Sequence, residues 1–344
     1  MTALRLTAMT VLSLTPCDPD FCEAHPHLPP PTRRAPRLPP RFQLMPETLL
    51  HPLLAGSIDY AGLFPPAALD MATAVRRYAE HHAGPDAWAL GRFVVPAARL
   101  PELERQAEAL APRSPAEPWR LSVLLGAAPA EELEALGEFN CRHAAAGAPA
   151  LSADSIEARA DSVEAIDRLL DLIPRGAHAY VELPLDRDPA PLVAALARRG
   201  GRAKARTGGV TPEAFPAPAD LLRFLRACTA AGVPFKSTAG LHHPLRGEYR
   251  LTYAPGSPAG TMFGFLNLFL AAAFLRQGMA DADTLRVLEE RDPAALRVGP
   301  EVIEWRGQQL TRAAVDAARA RGILSFGSCS FTEPVEEARH LGWA

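Results

Sequence analysis

The feature that most constrains this chain is an alternation that runs almost its whole length. A short apolar run is followed by a loop, then by an amphipathic segment with apolar residues at helical spacing. The apolar runs fall at 57–64, 88–95, 119–126, 151–159, 178–183, 202–207, 233–238 and 322–328. Helical patterns lie between them, for example at 66–82, 101–111, 129–145, 162–174, 189–199, 217–231 and 311–320. Several runs open just after glycine, at Gly176, Gly200–Gly201 and Gly232, as expected where a helix ends and the chain enters a strand. Strands that alternate with helices pair in parallel, and eight of them predict a closed α/β barrel of the (β/α)8 (TIM) class. A doubly wound open sheet is the alternative, but no glycine-rich dinucleotide turn follows the first strand.

The predicted barrel spans 46–344, with a long insertion at 241–310 between the seventh and eighth strands. Within the insertion, 241–256 reads as a loop, 258–277 as an apolar helix and 296–310 as a small hairpin. The loop is equally consistent with a lid over the site and with a packing insertion. Residues 1–45 read as a proline-rich, disordered tail, since eight prolines fall between Pro26 and Pro46 and no apolar face repeats. The start of the chain bears a faint likeness to a signal peptide but lacks a convincing cleavage site. Five scattered cysteines without metal spacing predict no disulfide framework and a cytoplasmic address. The most apolar stretch, 262–275, is too short to span a bilayer and contains Asn267. A formal net charge of −3 gives no basic footprint for nucleic acid.

The chain contains 34 arginines but only two lysines, Lys204 and Lys236. A primary amine, unlike a guanidinium, can lose its proton and attack a carbonyl. Both lysines fall late in predicted strands, the sixth and the seventh. Strand ends make up roughly a tenth of a barrel, so two lysines placed at random both reach them about one time in a hundred. Side chains alternate along a strand. Their apolar neighbours therefore turn Asp59, Arg92, Glu157, Arg159, Glu182, Lys204, Arg206 and Lys236 toward one axis. Buried charge is costly unless it is paired or used, and the C-terminal mouth is where barrel enzymes keep their chemistry. Three acids against five bases predict an anionic substrate, a phosphate or a carboxylate. Adjacent strands lie about 4.8 Å apart, so the two ammonium groups are expected to repel and drive one toward the neutral amine.

KARTGG at 204–209 and FKSTAG at 235–240 resemble the paired lysine strands of deoxyribose-phosphate aldolase, a class I aldolase family on a (β/α)8 barrel. Ile58-Asp59-Tyr60-Ala61-Gly62-Leu63 is similar to the family's first strand. VVPAARL at 94–100 is similar to its second, and Gly327-Ser328-Cys329-Ser330 to its eighth. The resemblance implies that Lys204 is the Schiff-base nucleophile and Lys236 the neighbour that activates it. It implies that Glu157 assists proton transfer, and that backbone near Gly240, Gly327 and Ser328 binds a phosphate. The chain departs from the pattern at Arg206, at 241–246, at 156–159 and at Glu182, where the substrate would bind.

These features together predict a Schiff-base lyase or aldolase for a small anionic carbonyl substrate. Lys204, Lys236, Glu157, Glu182 and Asp59 are its catalytic set. Arg92, Arg159, Arg206, Gly208, Gly240, His242, His243, Gly327 and Ser328 are its substrate-binding set. No cofactor, metal, nucleic acid or membrane partner is expected, and self-association is left open. One alternative is a metal-assisted enzyme using Glu157, Glu182 and His242. The other is a barrel that binds an anionic metabolite without turning it over. Cys329 reads as a small packed thiol with no evident base beside it, and His81, His82 and His178 read as structural.

Overall fold

A computed structural model describes residues 48–343; the predicted tail, with Cys17 and Cys22, lies outside the described residues. Eight parallel strands close into a barrel: β1 (Ile58–Tyr60), β2 (Leu90–Pro96), β3 (Trp119–Leu124), β4 (Leu151–Arg159), β5 (His178–Glu182), β6 (Arg202–Arg206), β7 (Phe235–Thr238) and, after the insertion, β13 (Ile323–Ser328). β13 closes the ring by pairing with both β7 and β1. A short α1 (Leu50–Leu54) precedes the barrel. The outer helices are α2 (Met71–Ala83), α3 (Leu100–Ala107), α4 (Pro129–His143), α5 (Val163–Leu172), α6 (Ala190–Arg199) and α7 (Pro218–Ala231). The TIM-barrel class is therefore the fold. Among the described residues no helix is long and apolar enough to cross a membrane.

Local chemistry sets the element ends. Asp70, Ser162 and Thr311 each accept the backbone N–H three residues on, the usual N-cap arrangement. Gly200 and Gly232 end α6 and α7 in the left-handed conformation, where a side chain would be strained. The first strand is shorter than its apolar run, because Gly62 and the prolines that follow do not sustain a ladder.

The insertion differs from its predicted outline. The segment at 241–256 is not a plain loop; it enters a hairpin of β8 (Gly247–Arg250) and β9 (Ala259–Met262). The segment at 296–310 is not a hairpin but a three-stranded antiparallel sheet of β10 (Leu296–Val298), β11 (Val302–Trp305) and β12 (Gln308–Thr311). Between them lie α8 (Phe265–Arg276) and α9 (Asp281–Glu289). α10 (Arg312–Arg321) leads into β13, and α11 (Thr332–His340) follows it. α8 is buried on every side but for its last residue. Phe265 and Phe269 pack against Phe326 of β13, and each such buried ring contributes about 1.5–3 kcal/mol. Asn267, buried in this apolar helix, is satisfied on both sides. Its Nδ2 donates to the carbonyls of Val287 and Glu290, and its Oδ1 accepts the N–H of Arg246.

Candidate active site

The barrel register places Lys204 and Lys236 directly side by side on β6 and β7. Glu182 on β5 is the neighbour of Lys204, and Arg159 on β4 is the neighbour of Glu182. Inside the barrel the charges form one alternating row. Lys236 Nζ donates to Asp59 Oδ2 at 2.5 Å and to Glu157 Oε1 at 2.7 Å. Lys204 Nζ lies 2.8 Å from Glu157 Oε2 and 2.8 Å from Glu182 Oε2. The row therefore reads Asp59, Lys236, Glu157, Lys204, Glu182, with Glu157 bridging the two amines. It is dry: Lys236 is 1% exposed, Glu157 2% and Lys204 4%. Hydroxyls complete it, with Ser122 Oγ donating to Glu157 and Ser325 Oγ to Asp59. The Arg92 N–H also donates to Asp59, and the face of Tyr180 lies 5.2 Å from Lys236 Nζ.

This arrangement corrects the expectation of two bare, repelling ammonium groups. A carboxylate stands between them. Burial alone pushes Lys236 toward the neutral amine, but Asp59 and then Glu157 outweigh it and hold the ammonium above its ordinary range. Burial likewise favours a protonated Glu157, but Lys204 and then Lys236 hold its carboxyl well below the usual carboxylate range. For Glu182 burial is again outweighed, here by Lys204, Arg206 and Arg159, so its carboxyl is also lowered.

At Glu157 and Lys204 the row opens into a cavity of about 220 Å³ at the C-terminal mouth of the barrel. Glu157, Lys204, Arg206, His242, Gly327 and Cys329 are on its wall. Asp59 and Lys236 are buried beneath and do not line it. An adjoining open depression of about 630 Å³ is lined by Arg159, Glu182 and Arg206, so Arg206 faces both.

Several residues of the predicted substrate-binding set lie elsewhere. Arg92 is spent on Asp154, which it grips through two nitrogens at 2.7 and 2.9 Å, and Arg120 joins the same carboxylate. With Arg92 neutralised there, the row and its two flanking arginines hold three carboxylates against four cations, a surplus of one rather than two. Arg159 is mostly exposed and pairs with Glu182. Gly208 and Gly240 approach each other under the ring of Phe215, which occupies the space where either would carry a side chain; neither lines the cavity. Ser328 does not line the cavity, although Gly327 and Cys329 on either side of it do. His243 turns away to Glu337 at 2.8 Å and stacks on Tyr249.

Sequence reasoning missed Ser122, Ser325 and Tyr180, although each alternates with apolar neighbours and so carried an inward signal. It also missed the surroundings of Cys329, because Glu333 comes from a helix that had not been read. The metal-assisted alternative loses its ligands: Glu157 and Glu182 hold Lys204, and His242 holds Glu333. Among the described residues no group of three or more His, Cys, Asp or Glu side chains is placed to hold an ion. No family model matches the chain, and neither a curated protein nor a solved structure matches it.

Proposed function

We propose that this barrel is a Schiff-base-forming lyase or aldolase, of the kind found in the deoxyribose-phosphate aldolase family, acting on a small anionic carbonyl compound in the cytoplasm. The observation that carries the reading is the position of Lys204. It is the one lysine of the row that lines the cavity, and a second lysine stands in register beside it.

In this reading Lys204 Nζ attacks the substrate carbonyl, a C–N bond forms and water leaves. The iminium then accepts the electron pair of the breaking C–C bond. Lys236 stays charged and fixes Glu157. Both carboxylates beside Lys204 are held low, so at rest they orient the amine rather than take its proton. When substrate enters and the ion pairs loosen, one of them takes the proton that the amine must lose before it attacks and returns it to the hydroxyl that leaves as water. Arg206, on the cavity wall and half-exposed, offers the anionic group of the substrate a guanidinium partner.

Borohydride reduction in the presence of a panel of small aldehydes and keto acids tests the proposal. A reduced adduct is expected on the peptide carrying Lys204, and is expected to vanish in Lys204→Arg. Absence of an adduct at Lys204, together with unchanged turnover in Lys204→Arg, overturns it. Ligand binding that survives Lys204→Arg with no turnover of any substrate favours the non-catalytic binding barrel instead.

A further inference from the structure

The amine is not the only nucleophile on the cavity wall. Cys329, which follows β13, and His242, which follows β7, both line it. His242 Nε2 lies 3.9 Å from Cys329 Sγ. The opposite ring nitrogen, Nδ1, lies 3.1 Å from Glu333 Oε2 at the start of α11. The imidazole is thus held between a thiol and a carboxylate, through different nitrogens. Tyr253, from the β8–β9 hairpin, donates its hydroxyl to the same Glu333 oxygen at 2.9 Å and stands 3.7 Å from the sulfur.

These three residues satisfy the geometric test for an activated nucleophile: a nucleophile within reach of a base, and the base oriented by a third group. A separation of 3.9 Å is within the loosening expected of such contacts before a substrate is bound. Electrostatics agree. Burial pushes His242 toward its neutral form, but Cys329 and Glu333 outweigh it and raise the imidazole to about 9. Cys228 provides the contrast within the same chain, a buried thiol with only apolar surroundings, whose ionisation burial suppresses. The predicted reading of Cys329 as a packed thiol without a base is thereby replaced.

We infer that Cys329, His242 and Glu333 form a second, cysteine-based centre that adds reversibly to small aldehydes in the same cavity. In the step, a bond forms between Sγ and the carbonyl carbon while the C=O π bond opens. The proton of the pair, held on His242 Nε2 by the raised basicity of the imidazole, passes to the carbonyl oxygen, giving a hemithioacetal. No oxidant or further reactant is needed. The inference goes beyond the amine chemistry and does not depend on it.

The test is cysteine-by-cysteine alkylation of the full chain with iodoacetamide at pH 6.5, read by peptide mass mapping. Exposed Cys141 is the internal reference, and buried Cys228 should stay unlabelled in any folded variant. Cys329 should react about tenfold faster than Cys141 despite its burial. His242→Gln should remove that advantage, and Glu333→Gln should reduce it several-fold, with Cys228 still protected in both. Glycolaldehyde should slow alkylation of Cys329 and not of Cys141, equally in the wild type and in Lys204→Arg, which cannot form a Schiff base. A Cys329 rate no greater than that of Cys141 overturns the inference. So does protection by glycolaldehyde that disappears in Lys204→Arg, since the aldehyde would then be held by the amine. An unlabelled Cys329 combined with a borohydride adduct at Lys204 rejects the thiol centre and leaves the amine reading standing.

Discussion

Replacing Lys236 by methionine tests the charged row where it is most buried. The side chain is 1% exposed and bonds Asp59 and Glu157 at once. Methionine has similar length and no charge, so the change deletes a cation and leaves two carboxylates facing each other in a dry interior. Asp59 keeps the Ser325 hydroxyl and the Arg92 N–H, and Glu157 keeps Ser122 and Lys204. Removing one partner of a buried ion pair costs about 3–5 kcal/mol, and that is the loss expected at pH 7.5. The sign of its pH dependence follows from the carboxyls. In the wild type Glu157 is held low, so its contribution to stability is present above the ordinary carboxylate pKa and is lost on acidification. In Lys236→Met one carboxyl of the pair is raised instead. Its folded form is then favoured at low pH and loses ground as pH rises through the raised value. The gap between the two proteins must therefore widen from pH 4.5 to pH 7.5, by about 1.4 kcal/mol for each pH unit by which the raised value exceeds 4.5. Urea unfolding of both proteins at the two pH values reads the gap directly. A difference below about 1 kcal/mol at pH 7.5, or one that is the same at both pH values, refutes the view that Lys236 holds two ionised carboxylates in a low-dielectric interior.

Three further outcomes follow from the same structure. The thermal midpoint of the wild type should be highest near pH 6, decline between about pH 6.5 and pH 9 as His242, raised to about 9, gives up its proton, and fall below about pH 4.5. On the acid side the carboxyls of Glu157, Glu182 and Asp154 are all lowered; a midpoint that rises below about pH 4.5 contradicts this. Gly208→Ala should cost about 1–3 kcal/mol in urea unfolding. The new methyl would sit 2.6 Å from the Phe215 ring and 2.9 Å from the Gly240 Cα, and an unchanged midpoint would mean that the two chains do not meet there. Ala239→Gly should stabilise by up to about 1 kcal/mol, because Ala239 is held at φ +67° on the cavity wall; a lower melting temperature in calorimetry speaks against relief of that strain.

The barrel was legible because each of its eight strands is a short apolar run closed off by polar or glycine punctuation, and because the connections are helical. The strand at 151–159 has the same bounds in both readings, since no proline or glycine interrupts it. Alternation also turned Lys204, Lys236, Glu157, Glu182 and Asp59 inward correctly, as each follows an apolar neighbour. What alternation lacks is depth. It treats Arg92 as equivalent to Lys236, although Asp154 captures the arginine away from the cavity. It also carries no information about residues beyond the strand ends. The pairing of His242 with Glu333 spans 91 positions and joins two connections that only the closed ring brings together. Even so, a period-2 reading of the serines, Ser122 between Leu121 and Val123 and Ser325 between Leu324 and Phe326, contained the hydroxyls that complete the row.

The row itself bears on what the molecule is for. A barrel interior is ordinarily filled by layers of branched apolar side chains, and replacing a buried ion-pair network by well-packed apolar residues is often neutral or stabilising. Stability alone therefore gives no reason to run five alternating charges through the barrel interior. Nor does binding an anion, for which Arg159 and Arg206 would suffice without any lysine. The two lysines differ in access: Lys204 lines the cavity and Lys236 does not. An amine that reacts must be reachable, and an amine that orients Glu157 must not be. That asymmetry is what a Schiff-base mechanism requires of a lysine pair. Under the proposed mechanism Lys204→Arg and Lys236→Met are distinguishable by experiment, the first expected to abolish a borohydride-trapped adduct while keeping the charge, the second removing the charge beneath it.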